Sequence, residues 1–82
     1  MRNMTTRTEI YDTVIQMIEE ESGRSTTEDS LIMDHLDSLD LIELTMDIED
    51  KYDIVIKDLS KTDIKTVGQF VDYLQTVIDA RA

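Results

Sequence analysis

The sequence predicts an all-α fold, a small bundle of three main helices plus a short extra helix, in a single domain over residues 1–82. Three observations carry this expectation. Apolar residues recur at helical intervals in three separate stretches, a capping signal stands at the head of each, and strand-like alternation is confined to residues 54–56. With 82 residues, 40% of them hydrophobic, the chain can build one modest core and no second domain. Residues 1–5 are expected to be a flexible N-terminus.

The first helix is expected over residues 6–21. Thr6 and Glu9 have capping-box spacing, Ile10, Val14, Met17 and Ile18 repeat on one face, and Gly23 is a natural stop. Residues 22–30 are polar and read as a loop, which Leu31, Ile32 and Met33 anchor. A second helix should open at Asp37 or Ser38 and run to Tyr52. Ile54 and Ile56 then alternate, and residues 58–63 have room for one or two helical turns, the short extra helix. The last helix begins near Thr66, spaced as a capping box with Gln69. It carries Val67, Phe70, Val71, Leu74, Val77 and Ile78 on one face.

The second helix has one apolar face too many. At 100° per residue, Leu41, Leu44, Ile48 and Tyr52 share one side, enough to pack the helix into a bundle. Leu39, Ile42 and Met46 form a second stripe roughly opposite, beside Asp40, Glu43, Asp47 and Asp50, with Glu49 on the other flank. Either this stripe also reaches the core beneath the preceding loop, or it is an exposed patch walled by carboxylates. The second arrangement suits transient docking to basic-rimmed sockets, for which methionine is an adaptable side chain.

Charge narrows the function classes. Nineteen acidic residues against eight basic ones give a formal net charge of −11. Such a surface repels nucleic-acid phosphates and anionic membranes and favours basic protein partners, though the same excess also serves solubility alone. With no cysteine, the chain has no disulfide, no thiolate metal site and no thiol nucleophile. One histidine and no base–nucleophile pairing argue against an enzyme, and no twelve-residue calcium loop is present, so no metal is expected. No apolar run approaches the length of a membrane span, and Met1 to Thr8 lack the apolar stretch of a secretory signal, so a cytoplasmic monomer is expected.

Ser38 stands out within this frame. It opens the second helix, where unpaired amides and the helix dipole would welcome a phosphate ester. Asp37 and Asp40 oppose that charge unless a divalent cation or a basic partner screens them. Asp or Ser ahead of an apolar run is also simply the commonest helix cap. The combination is more specific than the position: a serine at a helix start, acids downstream, and an exposed-stripe candidate beginning at the next residue.

The stretch Asp37-Ser38-Leu39-Asp40 resembles the attachment motif of the acyl carrier protein family, and Leu41-Ile42-Glu43-Leu44 continues it. The run from Asp47 through Glu49, Asp50 and Tyr52 to Ile54 is similar to that family's acidic second helix. Thr66-Val67 and Phe70-Val71-Asp72-Tyr73-Leu74 are similar to the opening of its last helix. The resemblance covers residues 10–78 and implies a free-standing, non-catalytic carrier. A phosphopantetheinyl transferase would move 4′-phosphopantetheine from coenzyme A to Ser38, using magnesium, and acyl groups would ride as thioesters on the arm's thiol in fatty-acid or related polyketide or specialised lipid biosynthesis. By the same resemblance, Asp37, Asp40, Glu43, Glu49 and Asp50 would face basic groups on the transferase, on ketosynthases, on acyltransferases and on other synthase enzymes. Leu39, Ile42 and Met46 would fill their apolar sockets, and Leu44, Ile64 and Leu74 would line an acyl cavity. A peptidyl or aminoacyl carrier, or an acidic interaction module without a prosthetic group, are the alternatives. Two positions depart from the family pattern. His35, read as a solvated loop residue, stands where a glycine is usual, and Lys57 replaces a frequent proline.

Overall fold

A computed structural model describes residues 6–81, apart from the side chains at positions 60 and 81. The stretch expected to be a flexible N-terminus lies outside the described residues. Among the described residues four α-helices follow one another, α1 (Arg7–Ser22), α2 (Ile32–His35), α3 (Ser38–Tyr52) and α4 (Val67–Arg81), with one 3-10 turn at Leu59–Lys61. The all-α expectation holds.

Local chemistry sets the helix ends. Thr6 Oγ1 accepts the Glu9 amide at 3.2 Å, and α1 stops at Gly23, whose φ of 69° is the left-handed conformation that glycine adopts without strain. At α4 the capping box closes in both directions: Thr66 Oγ1 accepts the Gln69 amide, and Gln69 Oε1 accepts the Thr66 amide, both at 3.1 Å. The predicted bounds of α1 and α3 and the predicted start of α4 therefore hold to within one residue.

The core is built from the periodic positions. Ile10, Val14 and Ile18 of α1, Leu44 and Ile48 of α3, and Val67, Phe70, Val71, Leu74 and Ile78 of α4 are all buried. Helix α1 packs chiefly on α4 and secondarily on α3. Arg7 ties the outside of that packing together, donating to Asp72 at 2.6 Å and to Glu28 at 3.2 Å.

The expected short helix is a single turn, and a second short helix stands where the sequence read as loop. Residues 58–63 form only the 3-10 turn, closed by the Thr62 hydroxyl donating to the Leu59 carbonyl at 2.9 Å. The extra α-helical turn is α2, inside what read as loop. Ile32 and Leu36 are both buried four residues apart, and the Leu36 amide bonds to the Ile32 carbonyl at 2.9 Å. Burial of that pair closes the turn.

Nor does the alternation at 54–56 make a strand. The Ile56 amide bonds to the Glu49 carboxylate at 2.7 Å, and the Lys57 amide to the Tyr73 hydroxyl at 2.9 Å, so side chains meet the need a sheet would have met. Among the described residues the extended pairing is one bridge between Leu31 and Thr66. There the Ile32 amide reaches Lys65 and the Val67 amide reaches Ser30, stitching the start of α2 to the start of α4.

Candidate functional site

The site begins with Asp37. Its extended backbone ends the link from α2, and its Oδ1 accepts the Asp40 amide at 2.8 Å, so it caps α3 and makes Ser38 the first helical residue. The amides of Ser38 and Leu39 precede the first carbonyl-to-amide bond of the helix and point out of its N-terminus. Ser38 is exposed. It also stands on the wall of a cleft of about 560 Å³, shared with residues 31–34 around α2, with Leu41 and Ile42 of α3, and with Leu59, Thr62 and Ile64 across the gap.

The two stripes of α3 part company in the structure. Leu44 and Ile48 are buried and Leu41 and Tyr52 half-buried. Leu39, Ile42 and Met46 are 67%, 55% and 60% exposed. The second stripe is surface, and exposed Leu31 and Met33 extend the apolar area past Ser38 onto α2. Isolated apolar side chains on a surface are ordinary, but a set grouped around one exposed serine hydroxyl is the pattern of a binding face.

The acids divide less cleanly. Asp37, Glu43, Asp47 and Asp50 are exposed along α3, and Asp40 is half-buried. Glu49 is different. It is half-buried, and it holds the chain leaving α3 twice, with its main-chain carbonyl accepting the Ile54 amide at 3.1 Å and its carboxylate accepting that of Ile56. Sequence reasoning missed Glu21, which lies far from α3 in the chain. Its carboxylate falls within 4.8 Å of those of Asp40 and Glu43. Desolvation, and then the like charges of Asp40, Glu43, Asp47 and Asp37, push the Glu21 carboxyl above its ordinary range.

Three side chains expected in other settings need correcting. Leu44 and Leu74 do not line the cleft: they are essentially inaccessible, packed within the core, and of the three expected lining residues only Ile64 faces the cleft. His35 is no solvated loop residue. It is half-buried, with Nε2 3.1 Å from the Ser25 carbonyl and Nδ1 3.3 Å from the Leu31 carbonyl.

This geometry suits a covalent phosphate-linked arm. A serine hydroxyl is offered to solvent, the adjacent helix amides favour an anion, and an apolar-walled cleft starts at the same residue. Among the described residues no helix is long and apolar enough to cross a membrane.

Comparison with known proteins agrees. A family model described as a phosphopantetheine attachment site matches residues 12–74. The acyl carrier protein of Exiguobacterium sibiricum is 38% identical over 78 residues, covering 89% of this chain and 99% of that protein. That of Thermotoga maritima is 36% identical over 77 residues, covering 88% and 95%. The meromycolate extension acyl carrier protein of Mycobacterium leprae is 36% identical over 75 residues, covering 85% of this chain and 65% of that protein.

Proposed function

The chain belongs to the acyl carrier protein family, whose members bear a covalent 4′-phosphopantetheine group, and on that premise we propose that Ser38 is the attachment residue and that the protein carries acyl thioesters. The observation that supports this most directly is the placement of Ser38: exposed, first in α3, and on the wall of the apolar cleft. When bound, the group supplies the thiol that this cysteine-free chain lacks.

The protein's own residues position and present. The free amides of Ser38 and Leu39 stabilise a phosphodiester at the helix start, while Asp37 is occupied in capping. Met33, Leu41, Ile42 and Ile64 offer an apolar lining for the arm and a short acyl chain. No catalytic role falls to any of these side chains: the carrier delivers its cargo to enzymes that do the chemistry. Leu39, Ile42 and Met46 form the docking patch, and Asp37, Asp40, Glu43 and Asp50 form its acidic rim toward the transferase and the synthase enzymes. Glu49 contributes to that rim with whatever its bond to Ile56 leaves available. The pathway is fatty-acid synthesis or a related polyketide or specialised lipid route, in the cytoplasm, with the carrier as a monomer.

Intact mass tests this. Incubation with coenzyme A, magnesium and a broad-range transferase should add one phosphopantetheine to the wild-type protein and none to Ser38→Ala. Labelling that persists in the alanine variant would sink the assignment. The mass of the group attached in the native cell separates an acyl cargo from an aminoacyl or peptidyl one.

A further inference from the structure

Two adjacent pairs of residues reach across to each other just before the attachment serine. Arg24, in the loop after α1, donates from Nη1 to the main-chain carbonyl of Asp34 at 2.9 Å. His35, the next residue along, holds Nε2 3.1 Å from the main-chain carbonyl of Ser25, the neighbour of Arg24, a bond made when that nitrogen carries the proton. Each segment thus supplies one side-chain donor and one carbonyl acceptor. The second ring nitrogen of His35 lies 3.3 Å from the Leu31 carbonyl at the head of α2. A carbonyl only accepts, so a neutral ring serves one of its two partners and the imidazolium serves both.

The clasp stands where the fold needs it. Helix α2 has four residues, too few to be stable alone, and its last carbonyls have no partners within the helix. Arg24 provides one. Residues 31–34 form one wall of the cleft, and only Leu36 and Asp37 separate the clasp from Ser38. Any swing of α2 therefore changes both the cleft and the surroundings of the serine hydroxyl. Neither Arg24 nor His35 lines the cleft, so their influence passes through α2.

We propose that Arg24 and His35 form a reciprocal clasp that fixes α2 as the wall of the cleft and so presents Ser38 to the enzyme that modifies it. Both are positioning residues. The presentation half rests on the assignment of Ser38 above; the clasp itself does not.

The test uses Arg24→Ala, His35→Ala, the double variant, and the donor-keeping Arg24→Lys and His35→Gln. Amide hydrogen exchange is followed across the chain, and kcat and KM for phosphopantetheine transfer from coenzyme A are measured with one transferase. Either alanine variant should speed exchange at residues 32–36 about 3- to 10-fold, the equilibrium worth of one hydrogen bond, with core amides of α1 and α4 unchanged. KM for the carrier should rise with kcat nearly constant, because a smaller fraction of the protein is competent. The double variant should be less than additive, and the lysine and glutamine variants should recover most of the loss. Unchanged exchange in both alanine variants would overturn the clasp. Faster exchange with wild-type kinetics would overturn the presentation role. Failure of the wild-type protein to accept the group would instead overturn the Ser38 assignment, and the exchange data would still decide the clasp.

Discussion

Glu49 and Glu43 sit on the same acidic helix and yet do different work. Glu43 is exposed, whereas the Glu49 carboxylate accepts the Ile56 amide at 2.7 Å in a partly buried setting. Glu49→Lys should therefore destabilise the fold by about 1–3 kcal/mol, the cost of an amide left without its acceptor. Glu43→Lys should leave folding intact or improve it, since it relieves repulsion. Thermal melts of the two variants side by side check this, and equal melting temperatures would contradict it. Gly68 poses a comparable question. Its amide bonds to the Glu28 carbonyl at 2.8 Å, and a Cβ there would stand 3.2 Å from that same oxygen. Because that carbonyl is held by the bond, Gly68→Ala should lower the melting temperature despite alanine's better helix propensity, worth up to about 1 kcal/mol.

At the scale of the element, α3 is a helix with two faces of different purpose. Leu44→Ala should cost about 2–5 kcal/mol because it opens a cavity in a closed core. Ile42→Ala should cost about 1 kcal/mol or less, since much of that side chain is already in water. If denaturant unfolding shows equal losses, the second stripe is core after all. The like charges crowded on this helix, joined by Glu21 from α1, set a pH dependence. The Glu21 carboxyl is raised above its ordinary range, so the folded state holds its proton more tightly than the unfolded chain does. That contribution is fully present below the ordinary carboxylate range and is lost as pH rises through the raised value. Glu21→Gln should accordingly melt higher than wild type at neutral pH and no higher in acid. Salt or magnesium should raise the wild-type melting temperature at neutral pH and narrow the gap to the variant.

The whole molecule presents a formal charge of −11 on a body with a radius of gyration of 12.0 Å. A field of that sign steers encounter with basic partners more than it sets the final affinity. Transfer of phosphopantetheine should slow as ionic strength rises, with the loss in kcat/KM rather than in kcat. Glu43→Lys should be slower than wild type at low salt and converge on it at high salt. A wild-type rate for that variant at every ionic strength would show that this rim does not dock the transferase.

Local signals determined the three long helices, because caps and a 3.6-residue repeat act within one turn and need no distant partner. Thr6, Asp37 and the Thr66–Gln69 pair mark the helix starts, and Ser38 could be singled out for the same reason: its position at a helix N-terminus is a property of its neighbours in the chain. The opposition of the two stripes on α3 was also legible. Whether the second stripe was buried as well was not, since periodicity gives the direction of a face and not what lies against it. The remaining features depend on contacts between residues far apart in sequence. Helix α2 forms because Ile32 and Leu36 find a core to enter, and Glu49 turns inward because the chain leaving α3 returns to it. Glu21 meets Asp40 and Glu43, and His35 meets Ser25, only because packing brings the end of α1 and its following loop beside α2 and α3. The cleft belongs with these. Its walls come from three separate segments, and Leu44 and Leu74, expected to line it, are closed off by the packing of α3 and α4 against the core. The sequence by itself determined the three long helices and the place of Ser38 at a helix start, because both are local; tertiary structure decided α2, the cleft, the contacts of Arg24 and His35 and the division of the acids, because each exists only where distant segments meet.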